Sequence, residues 1–170
     1  MLMRELDEQQ LTDNTFVIYT SDNDPEGRLD DRGYPIGRNK RTRGSIGGLR
    51  GRKRDMYEGG IRVPGIVRWP GQVQPGTESD QPIIGSDVFT TICDIVDIPL
   101  PDDRTIDGAS MLPALKGDPI DRAVPLYWRC YIAKGPITAM RIGDYKILAD
   151  EPLTRFEMYN IKDDPREQHD

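Results

Sequence analysis

Three side chains in the first third of this sequence have the types needed to hold an anionic ester: the neighbours Asp22 and Asn23, and Lys53 further on. A carboxylate beside a carboxamide presents hard oxygen donors, the kind that Ca²⁺ or Mg²⁺ gathers six or more at a time. A lysine ammonium supplies a point charge to a phosphate or sulfate oxygen, where negative charge grows as the ester bond breaks. On local grounds each also has a plainer reading. Asp22-Asn23 is a good Asx turn, and Lys53, between Arg52 and Arg54, is a solvated charge in a basic loop. Glu58 before Gly59-Gly60 reads as a turn leading into the next strand, with no catalytic role.

The rest of a hydrolytic site is missing from the sequence. His169 is the lone histidine and sits in a polar tail, which argues against acid–base work by histidine within this chain. Cys93 and Cys130 lack the surroundings of activated thiols and read as buried ones; two cysteines are too few for a disulfide framework. No Gly-x-Ser-x-Gly elbow and no phosphate-binding glycine loop occurs. These residues make half of an active site.

The elements that must position them follow from pattern. Leu2 and Leu6, with Gln9 and Gln10, fit the end of a helix leading to a turn at Thr12-Asp13-Asn14, before a strand from Thr15 to Thr20. That strand's continuous apolar, β-branched and aromatic character suits burial on both faces of a parallel or mixed sheet. Ligands gather beyond the carboxyl ends of such strands, where Asp22 and Asn23 lie. A glycine-rich loop follows, with eight basic and no acidic residues between Arg38 and Arg54, suited either to solvation or to collecting an anionic substrate. Ile61 to Trp69 resumes an extended pattern broken by Pro64, read as two short strand pieces. Ser86 to Asp97 is a helix with Ser86 as N-cap and a wide core stripe of Val88, Phe89, Ile92, Cys93, Ile95 and Val96. Met111 to Leu115 forms another short helix. Four extended segments come next, Val124–Cys130, Pro136–Ile142, Tyr145–Ala149 and Phe156–Ile161, and Gly143 opens a two-residue type II′ hairpin loop; the natural result is a small antiparallel sheet. The ending, Lys162 to Asp170, is expected to fray.

At 170 residues, 31% charged and 36% hydrophobic, the chain suits one globular domain or the later part of a larger one. Its net charge of −6 argues against general nucleic-acid binding, and no apolar run is long enough to span a bilayer. The acidic turn at Glu5-Leu6-Asp7-Glu8 comes too early for an export signal to form in this chain.

Taken together, the motifs resemble the later half of a type I sulfatase. The likeness is carried by Asp13 to Asn23, Leu49-Arg50-Gly51-Arg52-Lys53, and Tyr57-Glu58-Gly59-Gly60-Ile61-Arg62-Val63-Pro64 through Trp69-Pro70-Gly71. Ile106-Asp107-Gly108, Leu115-Lys116-Gly117, Arg141 to Lys146 and Met158 to Pro165 extend it in the same order to nearly the whole chain. The resemblance implies an α/β fold: the C-terminal part of an alkaline phosphatase-like mixed sheet flanked by helices, then a small antiparallel subdomain. It implies residues 1–98 as part of the catalytic domain and 99–170 as the C-terminal subdomain. It also implies Asp22 and Asn23 as ligands of an active-site calcium and Lys53 as a catalytic, sulfate-binding residue.

A formylglycine nucleophile, made from Cys or Ser in a C/S-x-P-x-R motif, is implied in an N-terminal half that this chain does not contain. The expected function is hydrolysis of carbohydrate or aryl sulfate esters once that half is supplied, in a periplasmic, secreted or lysosome-like compartment. A phosphohydrolase of the same fold, or a noncatalytic remnant that binds anions, are the rival readings. The sequence departs from the family at Asp24, where glycine is usual, and at Arg52 and Arg54, where small residues are common.

Overall fold

The late alternating segments form the most regular part of the protein. In the computed structural model, which describes residues 1–25, 28–29, 35–36, 44–133 and 135–170, they make a four-stranded antiparallel sheet in sequential order. Its strands are β5 (Leu126–Arg129), β6 (Thr138–Ile142), β7 (Tyr145–Ala149) and β8 (Phe156–Asn160). Ile142 pairs with Tyr145 across a two-residue loop, and Gly143 holds φ +57°, as a type II′ turn demands at its first position. Ala139 pairs with Leu148 and Lys146 with Tyr159, so the period of two puts all four on the buried face. Met56 and Ile161 complete this core, with Tyr57, Ile61, Trp128 and Cys130 packed around it.

This sheet belongs to one of two units, built from residues 21–63 and 125–170; the other combines residues 1–20 and 64–124. In the first-described unit, Glu58–Ile61 is a single helical turn, α2. The extended reading that began at Ile61 is therefore corrected: only β4 (Ile66–Arg68) is a strand, because Gly59 and Gly60 let the chain wind tightly against the preceding loop. The two-residue strands β2 (Arg28–Leu29) and β3 (Pro35–Ile36) pair with each other. Arg38, Lys40, Arg41 and Arg43, half of the basic run, lie outside the described residues.

The expectation of a fraying tail is also overturned. Asp164 accepts the backbone N–H groups of Gln168 and His169, Asp170 accepts that of Met158, and Glu167 is fully buried. His169 itself is exposed, as its tail position suggested.

In the other unit, helix α1 (Leu2–Glu8) leads to β1 (Val17–Tyr19). Strand β1 pairs antiparallel with β4, Ile18 opposite Val67, and these are its only strand partners among the described residues. It is not buried on both faces: Tyr19 is exposed and Val17 and Ile18 are half-buried. Helix α3 (Asp87–Ile95) corrects a second expectation. Its apolar stripe is not core in this chain, with Phe89 50%, Ile92 41% and Val96 52% exposed. The helix instead buries its polar edge, Asp87, Thr90 and Thr91. Ser86 makes no side-chain cap, and the Asp87 carboxylate turns back to accept the N–H of Ile84, which precedes the helix, at 2.8 Å. Short helix α4 (Leu112–Leu115) follows. Cys93 and Cys130 are free and only partly buried.

Candidate active site

Strand β1 delivers the chain to a bend at Asp22 and Asn23. Ser21 Oγ donates to the Asn23 carbonyl at 3.0 Å, and the Asn23 amide donates to an Asp22 carboxylate oxygen. These two bonds close the bend on its own side chains and hold the carboxylate and the carboxamide side by side. Asp22 is exposed and Asn23 half-buried. Directly afterwards the chain docks on the lysine loop. The Lys53 N–H donates to the Pro25 carbonyl at 3.2 Å, and the Asp24 N–H to the Gly60 carbonyl at 3.5 Å. The structure therefore brings together the two segments that the sequence singled out.

Lys53 and Arg54 occupy the centre of a tight turn. The Arg52 N–H donates to Asp55 Oδ2 at 3.1 Å and the Asp55 N–H returns to the Arg52 carbonyl at 2.8 Å. Arg54 has φ +80°, a left-handed conformation that glycine takes without strain and arginine rarely adopts. Behind the turn, α2 packs backbone to backbone. A Cβ on Gly59 would stand 2.5 Å from the Arg50 carbonyl oxygen, and one on Gly60 would stand 2.1 Å from that of Asp55. No side chain fits at either position.

Two polar clusters tie this loop to the sheet. Arg50 donates to the Tyr159 hydroxyl and the Tyr57 hydroxyl, each at 2.9 Å, and to the Glu167 carbonyl at 2.8 Å. Its guanidinium also lies over the Tyr57 ring, 3.8 Å from the centroid. Both tyrosine hydroxyls donate to Glu157. In the second cluster Lys146 Nζ lies 2.9 Å from Glu58 Oε1 and 2.9 Å from Glu167 Oε1. The contact to Glu167 is an ion pair without a directed hydrogen bond, since Glu167 Oε1 has no hydrogen-bond partner. Glu167 Oε2 accepts the Glu58 N–H at 2.7 Å.

Families of known proteins match this arrangement in order. A family model for sulfatases covers residues 1–98, and one described as N-sulphoglucosamine sulphohydrolase, C-terminal, covers residues 51–170. The chain belongs to the sulfatase family. It is 43% identical over 116 residues to a steryl-sulfatase of Rattus norvegicus, covering 68% of this chain and 19% of that one. It is 40% identical over 119 residues to an N-acetylgalactosamine-6-O-sulfatase of Bacteroides thetaiotaomicron, covering 68% of this chain and 22% of the relative. Among solved structures, the PsFucS1 sulfatase from Pseudoalteromonas sp. superposes with a TM-score of 0.73 at 26% identity, over 98% of this chain and 34% of that one. BT4656, solved in complex with its substrate D-glucosamine-2-N, 6-O-disulfate, gives a TM-score of 0.72 at 28% identity, over 99% of this chain and 32% of its own. The chain thus spans about a fifth of the length of those curated relatives and a third of those structures. Its fold is the expected α/β, alkaline phosphatase-like one.

Sequence reasoning missed Glu58, Lys146 and Glu167. A signal existed for Lys146: alternation along Tyr145–Ala149 puts it on the same face as Leu148, and a lysine on a core face must be paired. Glu167 carried no comparable sign, being in a polar tail.

The electrostatics of the site follow from burial. Burial and the nearby Glu58 carboxylate push the Asp24 carboxyl up to about 6. Burial lifts Glu167 above the usual carboxylate range, against the pull of Lys146. Burial, then the bond to Glu157, pushes Tyr159 up to about 12, and the same causes raise Tyr57 further.

A raised phenol pKa means that the folded state holds the proton more tightly than the unfolded one. Stability from Tyr57 and Tyr159 is therefore complete below the ordinary phenol value of about 10 and falls as pH climbs from there towards 12. Spectrophotometric titration of the seven tyrosines should show two ionising late, together with a fall in the urea midpoint over that range. Simultaneous titration of all seven near pH 10 in the folded chain would contradict the network.

Among the described residues no group of three or more His, Cys, Asp or Glu side chains is arranged to hold a metal alone. Asp22 and Asn23 together offer a carboxylate and a carboxamide oxygen, a donor set that suits a hard cation as part of a larger shell. No helix of the described residues is long and apolar enough to cross a membrane.

Proposed function

We propose that this chain supplies the later part of a sulfatase active site, in which sulfate esters of carbohydrate or aryl alcohols are hydrolysed. The observation that carries the reading is the bond from the Lys53 N–H to Pro25, which holds the lysine turn against the segment that follows Asp22 and Asn23. In this reading Lys53 binds a sulfate oxygen and stabilises the charge that develops as the S–O bond breaks. Asp22 and Asn23 help to hold a calcium ion, which when bound offsets the negative charge of the sulfate. The formylglycine nucleophile and the remaining ligands come from residues outside this chain, as does the cover for the apolar face of α3.

A sulfated carbohydrate is favoured as substrate by the disulfated glucosamine bound in the similar BT4656 structure. A periplasmic, secreted or lysosome-like compartment accords with this reading.

The test joins the chain in frame to a formylglycine-bearing N-terminal portion of a sulfatase and measures turnover of an aryl sulfate and an aryl phosphate. Sulfate ester turnover by the joined protein, and none by the 170-residue chain alone, is the expected result. Preference for the phosphate ester would make this a phosphohydrolase site. A folded, formylglycine-bearing joined protein without either activity would make the chain a noncatalytic anion-binding remnant.

A further inference from the structure

We propose that Lys146, on the C-terminal sheet, is a positioning residue for Lys53, acting through Glu58 and the two glycines of α2. The inference rests on the proposed role of Lys53. Its physical basis is a chain of contacts without slack. Glu58, Lys146 and Glu167 are 3%, 0% and 0% exposed, so three ionisable side chains share one site closed to water. Lys146 holds the Glu58 carboxylate while Glu167 holds the Glu58 backbone N–H, which fixes the first residue of α2 by both its side chain and its main chain.

From Glu58 the constraint passes to Lys53 through backbone alone. The Gly59 N–H donates to the Arg50 carbonyl at 2.6 Å, and the missing Cβ atoms of Gly59 and Gly60 leave room only for the carbonyls of Arg50, Gly51, Arg52 and Asp55. A shift of α2 by a few tenths of an ångström must therefore move the Arg52–Asp55 turn that carries Lys53. Packed interfaces of this kind transmit displacement because they cannot deform continuously.

Stability alone does not account for the cluster. Buried ion pairs are often no more stabilising than apolar residues of the same volume, and their better-attested use is to fix one arrangement among several. Glu167 adds a further cost, since its backbone lies at φ +54°, a left-handed conformation uncommon for glutamate. Among the described residues, further charged groups near Glu58 are Arg62, whose Nη1 is 3.7 Å from Glu58 Oε2, and Asp24, which feels the Glu58 charge and whose N–H donates to the Gly60 carbonyl of α2.

The test uses the 170-residue chain, with backbone amide exchange followed by NMR. The amides of Lys53, Asp55 and Gly59 report the turn, and those of Cys130 and Ile137, bonded at 2.8 and 2.9 Å, report the sheet. Lys146→Met should speed exchange at the three turn amides by about tenfold or more while the two sheet amides change by less than about threefold. If Lys146→Met does not fold, Glu167→Gln decides instead: it preserves the shape and the acceptor for Glu58, leaves Lys146 paired, and should speed the same three amides by about threefold.

A second readout is the shift of the Lys53 amide resonance on titration with inorganic sulfate. It should appear in the wild-type chain, vanish in Lys53→Ala, and need a higher sulfate concentration in the variant used. Equal acceleration of turn and sheet amides, or none at the turn, would overturn the positioning role and leave Lys146 a structural residue. Absence of any sulfate-dependent shift in the wild-type chain would instead count against the sulfate reading of Lys53, while the exchange data still decide the positioning.

Discussion

In a protein completed by a formylglycine-bearing N-terminal portion, Lys53→Ala should lower kcat by about 10²-fold or more and leave the bound calcium unchanged. The expectation follows from where the lysine stands. Its main chain is pinned to Pro25, its turn is closed by the Arg52 and Asp55 bonds, and α2 blocks retreat from behind. A charge carried on a backbone that is fixed before the reaction needs little reorganisation to meet the transition state, and a preorganised charge-stabilising group is worth about 3 kcal/mol. Alanine keeps the backbone bond to Pro25, so the loop survives the change.

Asp22→Ala should behave differently, lowering calcium affinity and activity together, with partial recovery at high calcium. Steady-state kinetics and calcium content measured on both variants separate the two roles. A fully active Lys53→Ala enzyme would return the lysine to a surface charge, and normal calcium affinity in Asp22→Ala would return the aspartate to a turn former.

The parts of the fold that were legible in the sequence are those decided by local pattern. The four strands of the C-terminal sheet were readable because alternation, Gly143 and the spacing of turns all agree, and such elements need no information from distant residues. Helix α3 was legible as a helix but not in its environment. Helical spacing identifies an apolar stripe without saying what covers it, and here the polar edge of Asp87, Thr90 and Thr91 is what the chain itself buries.

The site divides in the same way. Asp22, Asn23 and Lys53 were singled out as candidates from residue type and family likeness, and the proximity of their segments rests on backbone bonds that only the folded chain reveals. Glu58 was set aside as part of a turn, because nothing in Glu-Gly-Gly announces a partner 88 residues away. The tail was misjudged for a related reason: a run of polar residues looks solvated until one of them, Glu167, finds a buried cation.

The other large effect lies in the unit that does not carry Lys53. Arg122→Ala should destabilise that unit by about 3–5 kcal/mol, because it strands the Asp87 carboxylate without its cation. Asp87 is fully buried. Arg122 grips it with two guanidinium bonds, at 2.8 Å to Oδ1 and 2.5 Å to Oδ2, and also donates to the Pro82 carbonyl at 2.9 Å. The same carboxylate accepts the Ile84 and Ala109 N–H groups, so one side chain joins the start of α3 to segments on either side of it. Such a junction substitutes for the apolar cover that α3 lacks in this chain.

Arg122→Lys tests whether the fork or the charge matters. An ammonium restores the charge but reaches only as a point donor, so the variant should recover part of the loss and not all of it. Urea unfolding of the wild-type chain and both variants provides the measurement, with α3 followed by amide exchange. Loss of less than about 1 kcal/mol in Arg122→Ala would mean that the pair behaves like an exposed surface bridge, and equal losses in both variants would mean that only the paired guanidinium geometry stabilises Asp87.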